Sequence, residues 1–468
     1  MISYMDLIKH ELAGIYGEDV LRDVCKMIKL YDIYDGKGQD WETPGNLDYQ
    51  PTKKKTNYIK KLIKEEARFL FGKTPEFKVA SKNEDAAAGL NTFLNETLKK
   101  NHFSEKIIKG ARDCFIGKRV AMKIIGGKDR PLKINFVPSM GFVYEPIDDQ
   151  VDELKSIVFF YAINDKEDKR YQRVWKQKFW LENGICRMDE GVYNGYGELV
   201  EKRYESFDTG LDFIPAKVII NDGLSGDLKG ESDVEELLYN QEAFNRLSSD
   251  DIDALKFNMF PQTVAVNANR ESLEKIKISP AALIDLQTDE TVDDGQAQMY
   301  KLESSFSYDA RLEHTLRRLK NEMHELLNIP NVSPEELKGF ITSGKSMKAL
   351  YWQMITRCEE KYATWRPALE WLGRSVIRMA QVYGVGDAPN TDDFTVSVEN
   401  IYPLFDDELE EKSCDMQAVN TQTMSRKSYI NKWNTEVKED YADSELKQMR
   451  LEREMLEESY AAPVTAFE

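Results

Sequence analysis

Apolar residues recur every three or four positions through most of the first hundred residues. "MDLIKHELAGIYGEDVLRDVCKMIKLYDIYDG" and "NYIKKLIKEEARFLFGKTP" are two such amphipathic blocks, the second stopped by Gly72 and Pro75. Between them, "GKGQDWETPGNLDYQPTKKK" has the Gly, Pro and Asn content of a loop. A third helix is predicted over "EDAAAGLNTFLNETLKKNHFSEKIIKGARDCFIG". The pattern then shortens. "RVAMKII", "LKINFV", "GFVYEPI", "SIVFFYAI", "RYQRVWKQKFWLE" and "KVIIND" read as strands, separated by turns such as "GGKDRP", "NDKED" and "ENG". Residues 115–222 are therefore a β-rich block, antiparallel because the connections are too short for helical crossovers.

A long amphipathic stretch follows. "GESDVEELLYNQEAFNRLSSDDIDALKFNMF" opens on a Ser232–Glu235 capping box, and Val234, Leu237, Leu238, Phe244, Leu247, Leu255 and Met259 recur at helical steps. At ~1.5 Å per residue it spans on the order of 40 Å. Asp250, Asp251 and Asp253 are assigned to the opposite face. A small mixed unit comes next: strand "PQTVAVNA", helix "NRESLEKIKI", strands "AALIDLQ" and "AQMYKLE". The chain returns through a second long helix over 307–328. Two long helices with a compact tip form a stalk with a knob, whose apolar stripe asks for neighbours. Beyond it, "KSMKALYWQMITRCEEKYATWRPALEWLGRSVIRMAQVYG" is one helical run that Pro367 is predicted to kink or break. "DDFTVSVENIYP" returns a strand. From 401 the chain is helical and acidic, 8 Lys+Arg against 16 Asp+Glu.

One stretch raises an enzymatic reading. "GFITSGKS", Gly339 to Ser346, fits the phosphate-loop pattern G-x-x-x-x-G-K-[ST]. Such a loop works between a buried strand and a helix, whose backbone N–H groups converge on the phosphates. Here the preceding segment, "SYDARLEHTLRRLKNEMHELLNIP", has helical period, and Ser333, Pro334 and Glu336 in "NVSPEELKGF" spell a second helix start. The later strand ends in Glu399 and Asn400, with no magnesium-binding aspartate, and lies behind a further long helix. The stretch is read as a Gly- and Ser-containing loop between helices, with Lys345 and Lys348 exposed. Glu335/Glu336 and Asp392/Asp393 are adjacent pairs that point apart, unsuited to acid–base work. Cys25, Cys114, Cys186, Cys358 and Cys414 are scattered without metal-ligand spacing, and His314 and His324 stand too far apart to share an ion. No catalytic residue, metal site or cofactor is expected.

Net charge sharpens the picture. A formal charge of −18 argues against a protein that coats nucleic acid through a basic surface. It leaves room for one that lets a polyanion slide past. With 41% apolar residues and 22 Tyr, 21 Phe and 7 Trp, the chain can bury a core. No apolar run approaches membrane-spanning length and Met1 is not followed by a signal peptide, so a soluble chain made inside the cell is expected.

Taken in order, these parts resemble the portal protein of tailed bacteriophages, in the branch found in phages of Gram-positive hosts. "NYIKKLIKEEARFLFGKTPEF" is similar to that family's early helix ending in a Gly-Lys-x-Pro turn. "GESDVEELLYNQEAFNRLSSDDID" looks like its first stem helix, and "SGKSMKALYWQ" resembles the elements that open its long kinked helix. The resemblance implies an α+β chain: a wing over 1–229, a stem helix over 230–259, a clip over 260–306 and a second stem helix over 307–329. A tunnel loop over 330–349, a kinked helix returning to the wing over 350–400, and a crown with acidic tail over 401–468 would complete it. It implies a ring, usually of twelve subunits, at a capsid vertex of the virion, assembled in the host cytoplasm. Double-stranded DNA would be pumped through it by a separate terminase and later leave by it. The implied partners are the terminase large subunit, scaffold and major capsid protein, and a head-completion protein, with no membrane and no enzyme activity.

On that resemblance Lys338, Gly339, Thr342, Ser343, Gly344 and Lys345 are the tunnel-loop candidates, Gly344 acting as a hinge. Lys345 and Lys348 could instead pair with acidic neighbours across a subunit interface. Asp250, Asp251 and Asp253 are candidates for channel-facing charge, an ordinary solvated helix face being the equal alternative. The rival classes are a phosphate-loop ATPase, most obviously the packaging motor, and another virion structural protein.

Overall fold

The computed structural model describes residues 17–37, 41–42, 49–128, 130–148, 150–164, 168, 170–224, 226–259, 262–274, 287–289, 296–302, 308–332, 344–386, 388–403, 408–433 and 441–461. The chain is α+β. It divides into two units, one of Met1–Asn331 with Tyr351–Pro403, the other of Val332–Leu350 with Leu404–Glu468.

The first unit opens with helices α1 (Gly17–Tyr34) and α2 (Tyr58–Phe71) and the short strand β1 (Glu76–Ala80). The predicted third helix is in fact two, α3 (Glu84–Lys100) and α4 (Phe103–Gly117). The break has a physical cause at Asn101 and His102. Asn101 is buried and docks on strand β3 (Arg130–Pro138), its amide donating to Leu132 O at 3.0 Å and accepting from Ile134 N at 3.0 Å. His102 then turns the chain with φ 51°, the left-handed region.

The β-rich block is antiparallel, as expected, and forms two sheets. One runs β3–β2–β9, with β2 at Arg119–Gly127 and β9 at Ala216–Ile220. The other runs in sequence through β4 (Phe142–Ile147), β5 (Gln150–Asn164), β6 (Arg173–Glu182), β7 (Ile185–Tyr193) and β8 (Leu199–Asp208). Strands β1, β7 and β8 were not legible in the pattern. Every residue of β8 is exposed, so no face of it carries an apolar alternation to read.

Helix α5 (Asp233–Met259) packs against α7 (Asp309–Leu326). Between them lie β10 (Gln262–Val266), the five-residue α6 (Arg270–Glu274) and β11 (Gln298–Leu302), with β10 and β11 paired antiparallel. Of the expected strand "AALIDLQ", only Gln287 falls within the described residues. Helix α9 (Trp352–Tyr383) then crosses the core, and β12 (Thr395–Glu399) pairs with β1. Trp365 of α9 is fully buried against Phe71 and Phe136, ring centroids 4.9 and 6.1 Å away. Gly373 lets α9 approach β12, since a Cβ there would meet Val396 at 2.7 Å.

Of the kink or break expected at Pro367, a break does not occur, and α9 runs through it. Pro367 and Ala363, whose carbonyl loses its helical partner, both face solvent, while Trp365, Ala368, Leu369 and Leu372 hold the other face in the core. The helical run is interrupted instead at Tyr351, between α8 (Gly344–Leu350) and α9. The second unit contains α8, α10 (Glu408–Asn420), α11 (Arg426–Trp433) and α12 (Tyr441–Ala461). There Lys432 and Trp433 both reach Asp415, at 2.7 and 3.0 Å.

Candidate functional site

Helix α5 organises the chemistry of the first unit. Its pattern predicts a buried apolar stripe, but beyond Leu237 the buried residues are Gln241, Asn245, Ser248, Ser249 and Asp253. Leu255 and Met259, counted in the stripe, are exposed. The reason is a strap. Residues 52–58 lie along α5 and offer every second backbone N–H to side chains spaced four apart on the helix. Thr52 N donates to Asp253 Oδ2 at 2.7 Å, Lys54 N to Ser249 Oγ at 3.0 Å, Thr56 N to Asn245 Oδ1 at 2.9 Å and Tyr58 N to Gln241 Oε1 at 2.8 Å. Two extended residues advance ~6.6 Å and four helical residues ~6 Å, so the two ladders stay in step. The signal was present in the sequence as polar residues at 241, 245, 249 and 253, but only a known partner strand gives that period a meaning.

The start of α5 enters a buried ionic node. Lys361 of α9 donates to Asp233 Oδ2 at 2.6 Å and to Asn221 Oδ1 at 3.0 Å, with Glu66 Oε1 of α2 at 3.3 Å. Arg357, one turn earlier on α9, reaches Glu66 at 2.8 Å and Asp233 at 3.0 Å. Burial works to discharge Lys361, but Asp233 and Glu66 outweigh it and raise its pKa. Glu66 is raised as well, by burial first and by Asp233 second. Three segments far apart in sequence are locked at one point.

A second buried lysine sits between the two sheets. Lys123 of β2 donates to Gln177 Oε1 and lies under the rings of Phe159, Trp175 and Phe179, at 4.3, 4.9 and 5.6 Å. It lines a cleft of about 880 Å³ together with Tyr161, Arg130 and Glu190. Burial brings its pKa down to about 7, with Glu190 opposing.

The residues singled out in the sequence are described only in part. Lys338, Gly339, Thr342 and Ser343 lie outside the described residues. Gly344 and Lys345 begin α8, whose Lys348 is exposed. Of the phosphate-loop stretch only Gly344 to Ser346 is described, and the last described element before it is helix α7. Asp250 is exposed and Asp251 half-buried, beside a groove between α5 and α7 lined by Leu247, Ala254, Phe257 and Leu312. Asp253 parts from them. Its carboxylate is buried, bonded to Thr52 and Lys256. Burial alone would raise its pKa, but the bonds from Thr52 and Lys256 lower it. It is committed to the strap, whereas Asp250, three residues earlier, is exposed. Among the described residues no group of His, Cys, Asp and Glu could hold a metal ion, and no helix is long and apolar enough to cross a membrane.

A family model described as "Phage portal protein, SPP1 Gp6-like" matches residues 15–459. No curated protein matches the chain. Among solved structures, a chain from the "Neck of native GTA particle computed with C12 symmetry" is similar over 79% of this chain and 87% of that one. The two share 10% identity, with a TM-score of 0.41.

Proposed function

The chain belongs to the phage portal protein family, SPP1 Gp6-like, and from that premise we propose that it forms a ring at a capsid vertex through which double-stranded DNA enters, driven by a separate terminase, and later leaves. The observation that carries the reading is the family match over 15–459. The packed pair α5 and α7, bracketing a small two-stranded unit, supports the division into stem (230–259 and 307–329) and clip (260–306). The wing takes 1–229 and 350–400, the crown 401–468, and 330–349 forms the tunnel loop with Lys338, Gly339, Thr342, Ser343, Gly344 and Lys345 beside the DNA. The terminase and a head-completion protein dock on the clip. The ring hydrolyses no nucleotide: a phosphate loop needs a strand before its glycines, and the last described element before Gly339 is helix α7.

Light scattering on the purified full chain tests this. A species many times 54.1 kDa, near twelvefold, is expected, with no ATP turnover in the wild type or in Lys345→Ala. A monomer with turnover that Lys345→Ala abolishes would replace the portal reading with the ATPase.

A further inference from the structure

Two sets of charges at helix α5 have opposite sign: lysines on the strap along one side, and Asp250 and Asp251 beside the groove, Asp251 roughly opposite the strap and Asp250 about a quarter-turn from it. The strap along residues 241, 245, 249 and 253 presents Lys53, Lys54 and Lys55, all exposed. Lys54 and Lys55 form no ion pair among the described residues. The groove side of the helix presents Asp250 and Asp251, which also form none among the described residues. At ~100° per residue, positions 247, 251, 254 and 258 lie roughly opposite the strap positions. The groove itself, about 490 Å³, is largely apolar, and Phe257 on its wall is 47% exposed.

We propose that the lysine strap of one copy seats against the Asp250–Asp251 groove of the next copy, so that α5 carries both halves of a head-to-tail contact. The inference rests on the ring reading and names the residues that close it. Height along the helix is the decisive feature. The ladder pairs Thr52 with Asp253, Lys54 with Ser249 and Thr56 with Asn245, so Lys53 and Lys54 stand level with Asp251 and Asp250 and Lys55 about one turn away. A contact between level patches on opposite sides of an element repeats without climbing. Where that element lies along the symmetry axis, such a contact closes into a ring, whereas patches at different heights generate a helical filament. The ladder also explains why a Lys-Lys-Lys run is held in place. The N–H of Lys54 is fixed to buried Ser249, and those of the flanking Thr52 and Thr56 to Asp253 and Asn245, so the lysines lose little further chain freedom on association.

Charge reversal with rescue tests the contact. Lys54→Glu/Lys55→Glu and Asp250→Lys/Asp251→Lys, each in the full chain, are expected to fold with unchanged circular dichroism but to lose the ring mass in light scattering. Mixed one to one, the two variants are expected to recover it. The reversed strap of one meets the reversed groove of the other, and native strap meets native groove. A chain carrying all four substitutions is expected to assemble alone. Rings that persist in either variant, or folded variants whose mixture stays small, would overturn the contact while leaving the ring reading intact. A wild type without ring mass would overturn the ring reading itself. If either pair prevents folding, Lys54→Ala/Lys55→Ala and Asp250→Asn/Asp251→Asn serve instead. Ring mass that falls apart at lower salt than wild type in both supports the contact, and unchanged salt sensitivity overturns it.

Discussion

Two lysines in the first unit are almost equally buried and are treated in opposite ways. Lys361, where α2, α5 and α9 meet, has Asp233 and Glu66 within 3.3 Å and is driven toward the charged form. Lys123, between the sheets, has an amide oxygen and three ring faces, and is brought down to about 7. Burial alone penalises both ammonium groups; what separates them is whether carboxylates are buried alongside. The helical node joins residues 66, 233 and 361, so its ions fix how distant segments meet. The sheet site joins β2 of one sheet to β5 and β6 of the other, and there the lysine is held across the gap by an amide oxygen and aromatic faces.

The largest expected effect comes from breaking the node. Lys361→Met leaves Asp233 and Glu66 buried with Arg357 as their remaining cation, and should cost about 3–5 kcal/mol, as removal of one partner from a buried ion pair does. Chemical denaturation of the full chain measures it. Adding Glu66→Gln should recover part of the loss. A cost below about 1 kcal/mol would mean that water reaches the node and that the lock is not electrostatic.

The sheet lysine should behave differently. In the unfolded chain its pKa is about 10.4, so between pH 7 and 10 the unfolded state binds a proton that the folded state has lost. Stability therefore rises with pH across that window, by on the order of 2 kcal/mol between pH 7 and 9. Lys123→Met should remove the rise and leave the protein at least as stable at pH 7. A wild-type curve that is flat over this range, measured against Lys123→Met, would show that the ring faces fully offset the burial of the charge.

Legibility in the sequence follows the same division. The long helices and the antiparallel block were readable because their apolar periods are set by their own elements. The break at Asn101 was missed because it depends on where β3 lies, and β8 because an edge strand exposed along its whole length has no period. The apolar stripe assigned to α5 was overruled by the strap, whose backbone needs acceptors that only Gln241, Asn245, Ser249 and Asp253 supply. Neither buried lysine stood out. Lys361 and Arg357 look like surface charges on α9 until Glu66 and Asp233 are placed beside them.

The smallest effect sharpens the comparison at the edge of the node, where α5 begins. The sequence there reads as a reciprocal capping box between Ser232 and Glu235, and only half of it forms. Ser232 Oγ accepts from Val234 N at 3.2 Å, but Oγ also donates to Ile116 O at 2.7 Å, inside the core. Glu235 turns away to Lys118, 3.0 Å distant, on a pair that is half in solvent. A true box would make the two substitutions similar in cost, since each removes one of two reciprocal bonds. Here Ser232→Ala removes a cap and strands a buried carbonyl, about 1–2 kcal/mol. Glu235→Ala loses a partly exposed ion pair and should cost at most about 0.5 kcal/mol, less in high salt. Equal costs for the two variants would mean that Glu235 does reach back to Ser232 in solution. A cost for Glu235→Ala above that of Ser232→Ala would place Lys118 within the same electrostatic lock as Lys361, and the node would then extend from α9 to the residue that joins α4 to β2.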